Sequence, residues 1–232
     1  EVDGKGRVTG FQEKPANPKI IPHRSDKIYA SMGIYVFNLP ALEQELQENA
    51  KSNRSSHDFG KDIIPQMLKK GLKVVAFNFS SEDKEGVVQY WRDIGTIDAY
   101  YEANMDLVQV DPTFNLYDKE WPVRTYQEQF PPVKTVHSGE QITGRVGLAL
   151  DSLISGGCVV SGGRIQRSIL SPNVRINSYA QVYDSILMEG VNVGRYAKIK
   201  KAIIDKDVEI PQGMVIGYDL EEDKKRFYVT ES

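Results

Sequence analysis

The fold is decided by residues 153–216, which read LISGGCVVSGGRIQRSILSPNVRINSYAQVYDSILMEGVNVGRYAKIKKAIIDKDVEIPQGMVI. Aliphatic residues recur in this stretch at intervals of 17. They form three series: Leu153, Leu170, Leu187 and Ile204; Val159, Ile176, Val193 and Ile210; and Ile165, Val182, Ile199 and Ile216. A fixed short period is typical of repeat architectures, in which each unit buries its apolar face against the next.

Within each repeat the aliphatic residues are separated by steps of about six, six and five residues. Such steps describe a triangular coil in which each side contributes one inward side chain. Small or turn-forming residues lie near the corners, among them Gly156, Gly162 and Asn177. An α-solenoid would need repeats of about 33 to 47 residues with a helical period, and the sequence has neither. We therefore predict a parallel β-helix over residues 146–232.

The preceding residues alternate predicted strands with predicted helices, which is typical of an α/β domain. Strands are predicted at 8–11, at 29–37 with both faces buried, and at 72–79. Helices are predicted around Leu39, Leu42 and Leu46, from a cap at Asp58 to Gly71 with a kink at Pro65, and from a cap at Thr96 to about Val108. We assign residues 1–108 to this domain and the proline-containing residues 109–145 to a linker.

The composition of the chain argues against some classes of partner. The net charge of −3 argues against non-specific binding of nucleic acid. The lone Cys158 forms no internal disulfide, which suits a reducing cytoplasm. No apolar run approaches the roughly 18 residues of a membrane span, so we expect neither a nucleic-acid nor a membrane partner.

Two motifs in the first forty residues suit a sugar phosphate. In Phe11-Gln12-Glu13-Lys14-Pro15, a lysine fixed beside a proline on extended backbone can anchor a phosphate, although an ordinary solvated loop is the simpler interpretation. In Ala30-Ser31-Met32-Gly33-Ile34-Tyr35, two hydroxyls flank a glycine that allows close backbone approach, although a packing glycine would also explain it.

Two further motifs carry carboxylates. Asp58 in Ser55-Ser56-His57-Asp58-Phe59-Gly60 is most simply a helix N-cap, and His57 is interpreted as a structural or hydrogen-bonding residue. In Tyr90-Trp91-Arg92-Asp93-Ile94-Gly95-Thr96, Asp93 lies at a predicted strand-to-helix junction, where active sites of α/β sheets collect. Asp93 could bind Mg²⁺ or could pair with Arg92 or another neighbour.

In order and spacing, these motifs resemble the glucose-1-phosphate adenylyltransferase (ADP-glucose pyrophosphorylase) family of bacteria and plants. Similar segments are Tyr117–Tyr126, Ser155–Val159, Ile210–Gly217 and Arg226–Tyr228. The resemblance implies a partial nucleotidyltransferase (Rossmann-like) domain followed by a left-handed β-helix. It also implies the conversion of ATP and α-D-glucose 1-phosphate to ADP-glucose and pyrophosphate with Mg²⁺, for glycogen or starch synthesis.

Roles follow by similarity at matching positions. Lys14 is similar to the lysine that holds the phosphate of glucose 1-phosphate, and Asp93 to a catalytic, metal-binding aspartate. The glucose-phosphate pocket would consist of Glu13, Ser31, Tyr35, Asp58, Phe59 and Trp91. The family's glycine-rich nucleotide loop, upstream metal aspartate and ATP-contacting arginine do not occur in these residues. We therefore expect a C-terminal part of a longer enzyme, inactive alone.

The family is also controlled by metabolite effectors and forms homotetramers through the β-helix. Lys206 matches a basic effector contact of some bacterial members, although an exposed coil residue is an equal interpretation. The resemblance implies a bacterial cytoplasm, or a plastid for a plant protein. Alternatives are a non-catalytic regulatory paralogue and a nucleotidyltransferase for another sugar phosphate or base. A hexapeptide acyltransferase is disfavoured because His23, His57 and His137 all precede the repeat.

Overall fold

A computed structural model describes residues 1–21, 27–79, 90–120, 122–138 and 145–231. His23 and Trp121 lie outside the described residues. The chain divides into two compact units, Glu1–Gln89 and Tyr90–Ser232. Among the described residues, each helix is too short or too polar to cross a bilayer.

The helices of the first unit follow the predicted pattern. Helix α1 spans Leu39–Ala50, and a π-helical turn over Phe59–Ile63 continues into α2, Ile64–Lys69. Asp58 caps the turn as predicted, because its Oδ1 accepts hydrogen bonds from the backbone N–H groups of Gly60 and Lys61 at 2.7 and 2.8 Å. Pro65 lies where the π-helical turn passes into α2, so its missing N–H falls at a change of helix type and not within a regular α-helix.

The three strands predicted in this unit do not form. Residues 8–11, 29–37 and 72–79 contain only isolated bridges, Val2 with Val8 and Arg7 with Val75. Ile34 and Val36, predicted to be buried, are 71% and 100% exposed. A strand needs a neighbouring backbone for its hydrogen bonds, and the described residues provide none along 29–37. The apolar pattern is therefore present without the sheet that it predicts.

The second unit is a parallel β-solenoid preceded by helix α3, Ile97–Asp106, which Thr96 caps as predicted. The described strands are β1 Lys134–Ser138, β2 Arg145–Val146, β3 Leu148–Leu150, β4 Leu153–Ile154, β5 Val159–Ser161, β6 Arg164–Gln166, β7 Ile169–Leu170, β8 Arg175–Ile176, β9 Gln181–Tyr183, β10 Ile186–Leu187, β11 Asn192–Val193, β12 Lys198–Lys200, β13 Ile203–Ile204, β14 Glu209–Ile210 and β15 Val215–Ile216. Helix α4, Leu220–Arg226, follows.

The strands form three sheets, in the orders β14-β11-β8-β5-β1-β2, β13-β10-β7-β4 and β15-β12-β9-β6-β3. All pairs are parallel except β1 with β2. Successive coils thus stack strand on strand along three faces, and the predicted β-helix is confirmed. Its left hand stays a prediction from resemblance. The domain bounds also stay a prediction. Strand β1 lies within the predicted linker, and it pairs with β5 of the solenoid.

Ten of the twelve predicted inward residues are buried in one apolar core. The exceptions are Leu153 and Val159, because in the sheets Ile154 aligns with Leu170, and Val160 with Ile176. The first coil is therefore one residue shorter than the predicted 17. The shortening lies at the corner of Gly162 and Gly163, since Ile165 and Val182 are again 17 residues apart and paired.

A column of buried hydroxyls runs along one corner of the solenoid. The Ser168 hydroxyl donates to the Gln166 carbonyl at 2.9 Å and accepts from the Ser185 N–H at 3.1 Å. The Ser185 hydroxyl repeats the pattern with the Tyr183 carbonyl and the Ala202 N–H. Each serine hydroxyl therefore links one coil to the next, and it accepts a hydrogen bond from a backbone N–H that has no backbone partner.

Replacing Ser168 with alanine should lower the free energy of unfolding by about 1–3 kcal/mol, because the buried Ser185 N–H would lose its acceptor. Urea unfolding followed by circular dichroism measures the change. Ser161→Ala is the matched control, since the Ser161 hydroxyl makes no hydrogen bond among the described residues. Equal stability of the two variants would contradict the structural role of the column.

Candidate functional site

Lys14 has a backbone conformation that the sequence does not predict. Pro15 was expected to favour extended backbone at Lys14, but its φ is 43°, in the left-handed region. For a residue other than glycine this conformation costs roughly 1–2 kcal/mol. Such strain persists where the surroundings enforce it, and it collects at ligand sites. The expectation of extended backbone was wrong, and the exposed Lys14 side chain leaves a strained turn.

Glu13 lies against the start of the π-helical turn. A Cβ added to Gly60 would overlap the Glu13 carboxylate, so the end of this flexible side chain lies directly against Gly60. Asp58 lies on the same turn, where its Oδ1 holds the N–H groups of Gly60 and Lys61. The structure thus brings Glu13 and Asp58 to one turn from positions 45 residues apart in sequence (58 − 13).

Ser31, Tyr35 and Phe59 form a second group in the same unit. The Ser31 and Tyr35 hydroxyl oxygens are 2.9 Å apart, and Ser31 Oγ also accepts from the Gly33 N–H at 3.2 Å. The Tyr35 ring stacks on Phe59 with centroids 5.8 Å apart and an interplanar angle of 25°. Phe37 contacts both rings. Aromatic faces beside fixed hydroxyls can hold a sugar through its C–H face and its polar rim.

A cleft of about 560 Å³ adjoins the Glu13 contact. Its lining comprises Phe11, Gln12, Glu13, Pro15, Gly60, Lys61, Pro65 and Lys69. Of the predicted sugar-phosphate residues, Glu13 lines this cleft, while Ser31, Tyr35 and Lys14 do not. Phe59 connects the two groups in sequence, since it stacks on Tyr35 and immediately precedes Gly60.

Asp62 is a residue that the sequence analysis missed. Its Oδ2 accepts hydrogen bonds from the Ser56 hydroxyl at 2.7 Å, the Ser56 N–H at 3.0 Å and the Asp58 N–H at 3.1 Å. The bonds from Ser56 and Asp58 lower the pKa of Asp62. A carboxylate in the first turn of a helix that accepts hydrogen bonds from the loop before the helix resembles a capping box. The position of Asp62, four residues after the predicted cap Asp58, could have indicated this role.

Trp91 and Asp93 belong to the second unit. Asp93 Oδ1 accepts from the Gly95 N–H at 3.0 Å, which forms a turn leading into the Thr96 cap of α3. Arg92, the alternative partner of Asp93, instead pairs with Glu102 at 3.2 Å and with Asp106. The Asp93 carboxylate is thus held by its own turn, and Trp91 beside it is partly exposed.

Among the described residues, no group of three or more His, Cys, Asp or Glu side chains could hold a metal ion. Asp93 nevertheless fits a site for a hard divalent ion completed by phosphate oxygens, since such a site needs only one or two protein carboxylates. Lys206, also in the second unit, is exposed and lies 3.3 Å from the Asp205 carboxylate.

Comparisons with known proteins match two segments of the chain to two families. Residues 1–110 match the family described as nucleotidyl transferase, and residues 131–232 match the family described as GlmU-like, C-terminal hexapeptide. Curated relatives named glucose-1-phosphate adenylyltransferase include that of Koribacter versatilis (strain Ellin345), 50% identical over 233 residues. That of Anaeromyxobacter sp. (strain Fw109-5) is 54% identical over 239 residues.

Both matches cover 100% of this chain, and they cover 55% and 57% of the respective relatives. The enzyme named glucose-1-phosphate adenylyltransferase 2 of Vibrio cholerae serotype O1 is 49% identical over 99% of this chain and 56% of its own length. The chain therefore spans a little over half the length of these relatives. The two matched segments and the identity along the whole chain show that it belongs to the glucose-1-phosphate adenylyltransferase family of nucleotidyl transferases.

Proposed function

We propose that the whole protein containing this chain transfers the adenylyl group of ATP to α-D-glucose 1-phosphate. The products are ADP-glucose, for glycogen or starch synthesis, and pyrophosphate. One observation carries the proposal: Tyr35, hydrogen bonded to Ser31, stacks on Phe59, and the next residue, Gly60, contacts Glu13. This arrangement places an aromatic face, hydroxyls and a carboxylate close together. These are the kinds of group that hold a sugar.

In this reaction a phosphate oxygen of glucose 1-phosphate attacks the α-phosphorus of ATP in line, and pyrophosphate leaves. Little covalent work is required of the protein, so positioning and charge neutralisation dominate. Lys14 holds the attacking phosphate, and its left-handed backbone sets the direction in which the side chain leaves the turn. Glu13 and Ser31 accept or donate hydrogen bonds at the glucose hydroxyls, while Tyr35, Phe59 and Trp91 contact the sugar. Asp58 fixes the turn that carries Phe59.

We propose Mg²⁺ as the metal and Asp93 as its ligand in this chain. An ion held there would supply positive charge to offset the charge that develops on the leaving phosphates. The Gly95 N–H occupies part of Oδ1 and fixes the carboxylate, which leaves Oδ2 for the metal. Because Arg92 forms an ion pair with Glu102 of α3, it does not occupy the Asp93 carboxylate.

We also propose regulation and assembly for this protein, on the basis of its membership of the family. The solenoid supports assembly into a homotetramer, and Lys206 contributes to a site for an anionic metabolite effector. Its exposure and its loose pair with Asp205 leave the ammonium available for such a ligand. The cytoplasm, or a plastid, is the proposed location, which a reduced and buried Cys158 suits.

The test is pyrophosphate release by the whole protein with glucose 1-phosphate and, separately, ATP, UTP, CTP and dTTP. We expect turnover with ATP to exceed that with the other nucleotides. A preference for UTP or dTTP would overturn the adenylyl assignment. Absence of turnover with every nucleotide would instead favour a regulatory paralogue that retains the fold.

A further inference from the structure

A second cleft of about 310 Å³ lies beside the end of α1 and the outer face of the π-helical turn and α2. It is lined by Asn49, Ser52, Arg54, Ser55, Lys61, Asp62, Pro65, Gln66 and Lys69. Eight of the nine lining residues are polar, and three of them are cationic. None of the predicted sugar-phosphate residues lines it.

The three cations of the lining are not paired with a carboxylate in the part of the chain that the structure describes. Arg54, Lys61 and Lys69 make no ion pair with any described residue. Asp62, the carboxylate in the lining, is turned to Ser56 and the Asp58 N–H, which satisfy its Oδ2. These bonds lower the pKa of Asp62, so its negative charge persists, and the lining carries a net charge of +2 (three cations less one anion).

Asn49 provides a fixed donor at the same cleft. Its side chain is buried, with 5% of the residue exposed. The Ser55 hydroxyl donates to Asn49 Oδ1 at 2.9 Å, and His57 Nδ1 lies 3.1 Å from the same oxygen. The amide oxygen is thereby committed, while Nδ2 makes no hydrogen bond to a described residue and is not among the fully buried polar atoms. The amide can therefore donate to a ligand in the cleft from an orientation that Ser55 and His57 fix.

We propose that this cleft binds a small phosphate-bearing compound. Three cations provide the charge, and the Asn49 amide provides an oriented N–H for a phosphate oxygen, the kind of pairing that gives strong charge-assisted hydrogen bonds. The Ser52 hydroxyl and the Gln66 amide add further polar groups at the rim. The volume is at the lower end of ligand pockets, which suits a small metabolite better than a nucleotide. Lys61, Pro65 and Lys69 also line the neighbouring cleft beside Glu13, but the inference uses neither that cleft nor the catalytic proposal.

The test is a titration of the whole protein, isotope-labelled at its asparagine side-chain amides, followed by NMR at a constant ionic strength of about 0.15 M so that diffuse screening does not change. The probes are inorganic phosphate, glycerol 3-phosphate and, as a neutral control, glycerol. We expect saturable shifts of the Asn49 side-chain amide with both phosphates and none with glycerol. Tighter binding of glycerol 3-phosphate supports a phosphorylated metabolite, and equal binding supports phosphate itself.

The double variant Arg54→Gln/Lys69→Gln should weaken phosphate binding about tenfold, since two exposed cations are removed. Both positions are exposed, so the variant should retain the native circular dichroism spectrum. Lys51→Gln, at the end of α1 but outside the lining, should bind phosphate as the unmodified chain does. Shifts that grow linearly without saturation, or equal affinity in the double variant, would overturn the proposal.

Discussion

Replacing Gly217 with alanine should lower the free energy of unfolding of the solenoid by about 2–5 kcal/mol. Gly217 has a φ of 80°, a conformation that costs any other residue roughly 1–2 kcal/mol. A Cβ there would also overlap the carbonyl oxygen of Lys200 in the preceding coil, and overpacking of this kind costs roughly 1–3 kcal/mol. The carbonyl belongs to the backbone, so no side-chain rotation relieves the clash.

Gly213→Ala is the matched control for this substitution. Gly213 has a similar φ of 72°, but a Cβ there would meet no described atom within 4 Å. Only the conformational cost applies, so urea unfolding should separate the two variants by the overlap contribution alone. Equal losses of stability in Gly213→Ala and Gly217→Ala would show that the close stacking of coils at Gly217 is not what makes glycine necessary there.

Replacing Lys14 with alanine in the whole protein should raise the KM for glucose 1-phosphate about 10- to 100-fold. The substitution removes a charge-assisted hydrogen bond, and such bonds contribute roughly 1.5–3 kcal/mol. Because the lysine holds a phosphate that keeps its charge through the reaction, kcat should change much less than KM. Initial rates measured over a range of glucose 1-phosphate concentrations at saturating ATP give both constants.

Lys5→Ala is the corresponding control, since Lys5 is an exposed lysine in a turn of the same unit. It should leave both constants close to those of the unmodified protein. An unchanged KM in Lys14→Ala would remove this lysine from the phosphate site. A fall in kcat alone would instead indicate that Lys14 acts on the transition state, as a group that stabilises developing charge does.

The solenoid could be predicted because each coil repeats the same inward positions, so errors at single residues do not hide the period. The register of the first coil could not be predicted. Leu153 is followed by Ile154 and Val159 by Val160, so either member of each pair satisfies an aliphatic pattern. Only the backbone pairing of Ile154 with Leu170 distinguishes them.

The first unit shows where sequence patterns fail. Residues 29–37 have the apolar composition of a buried strand, but composition does not specify a neighbouring strand, and the described residues contain none beside Ile34 and Val36. Helix caps at Asp58 and Thr96 were predictable because a cap depends on residues two or three positions away.

The site was predictable only in part, for the same reason. Residue types at Glu13, Ser31 and Tyr35 indicated sugar-phosphate chemistry, but the contact of Glu13 with Gly60 joins distant segments and leaves no local signal. The left-handed backbone of Lys14 opposes the local preference set by Pro15. Asn49 and the cationic cleft had no motif at all, because their significance depends on which hydrogen bonds the fold has already satisfied.

The most direct measurement is a crystal structure of the whole protein with glucose 1-phosphate bound. The account predicts the phosphate within hydrogen-bond distance of Lys14 Nζ. It also predicts the glucose beside the Tyr35 and Phe59 rings, with hydroxyls near Glu13 and Ser31. Glucose 1-phosphate bound elsewhere, with Lys14 and the Tyr35–Phe59 pair left in solvent, would contradict the account.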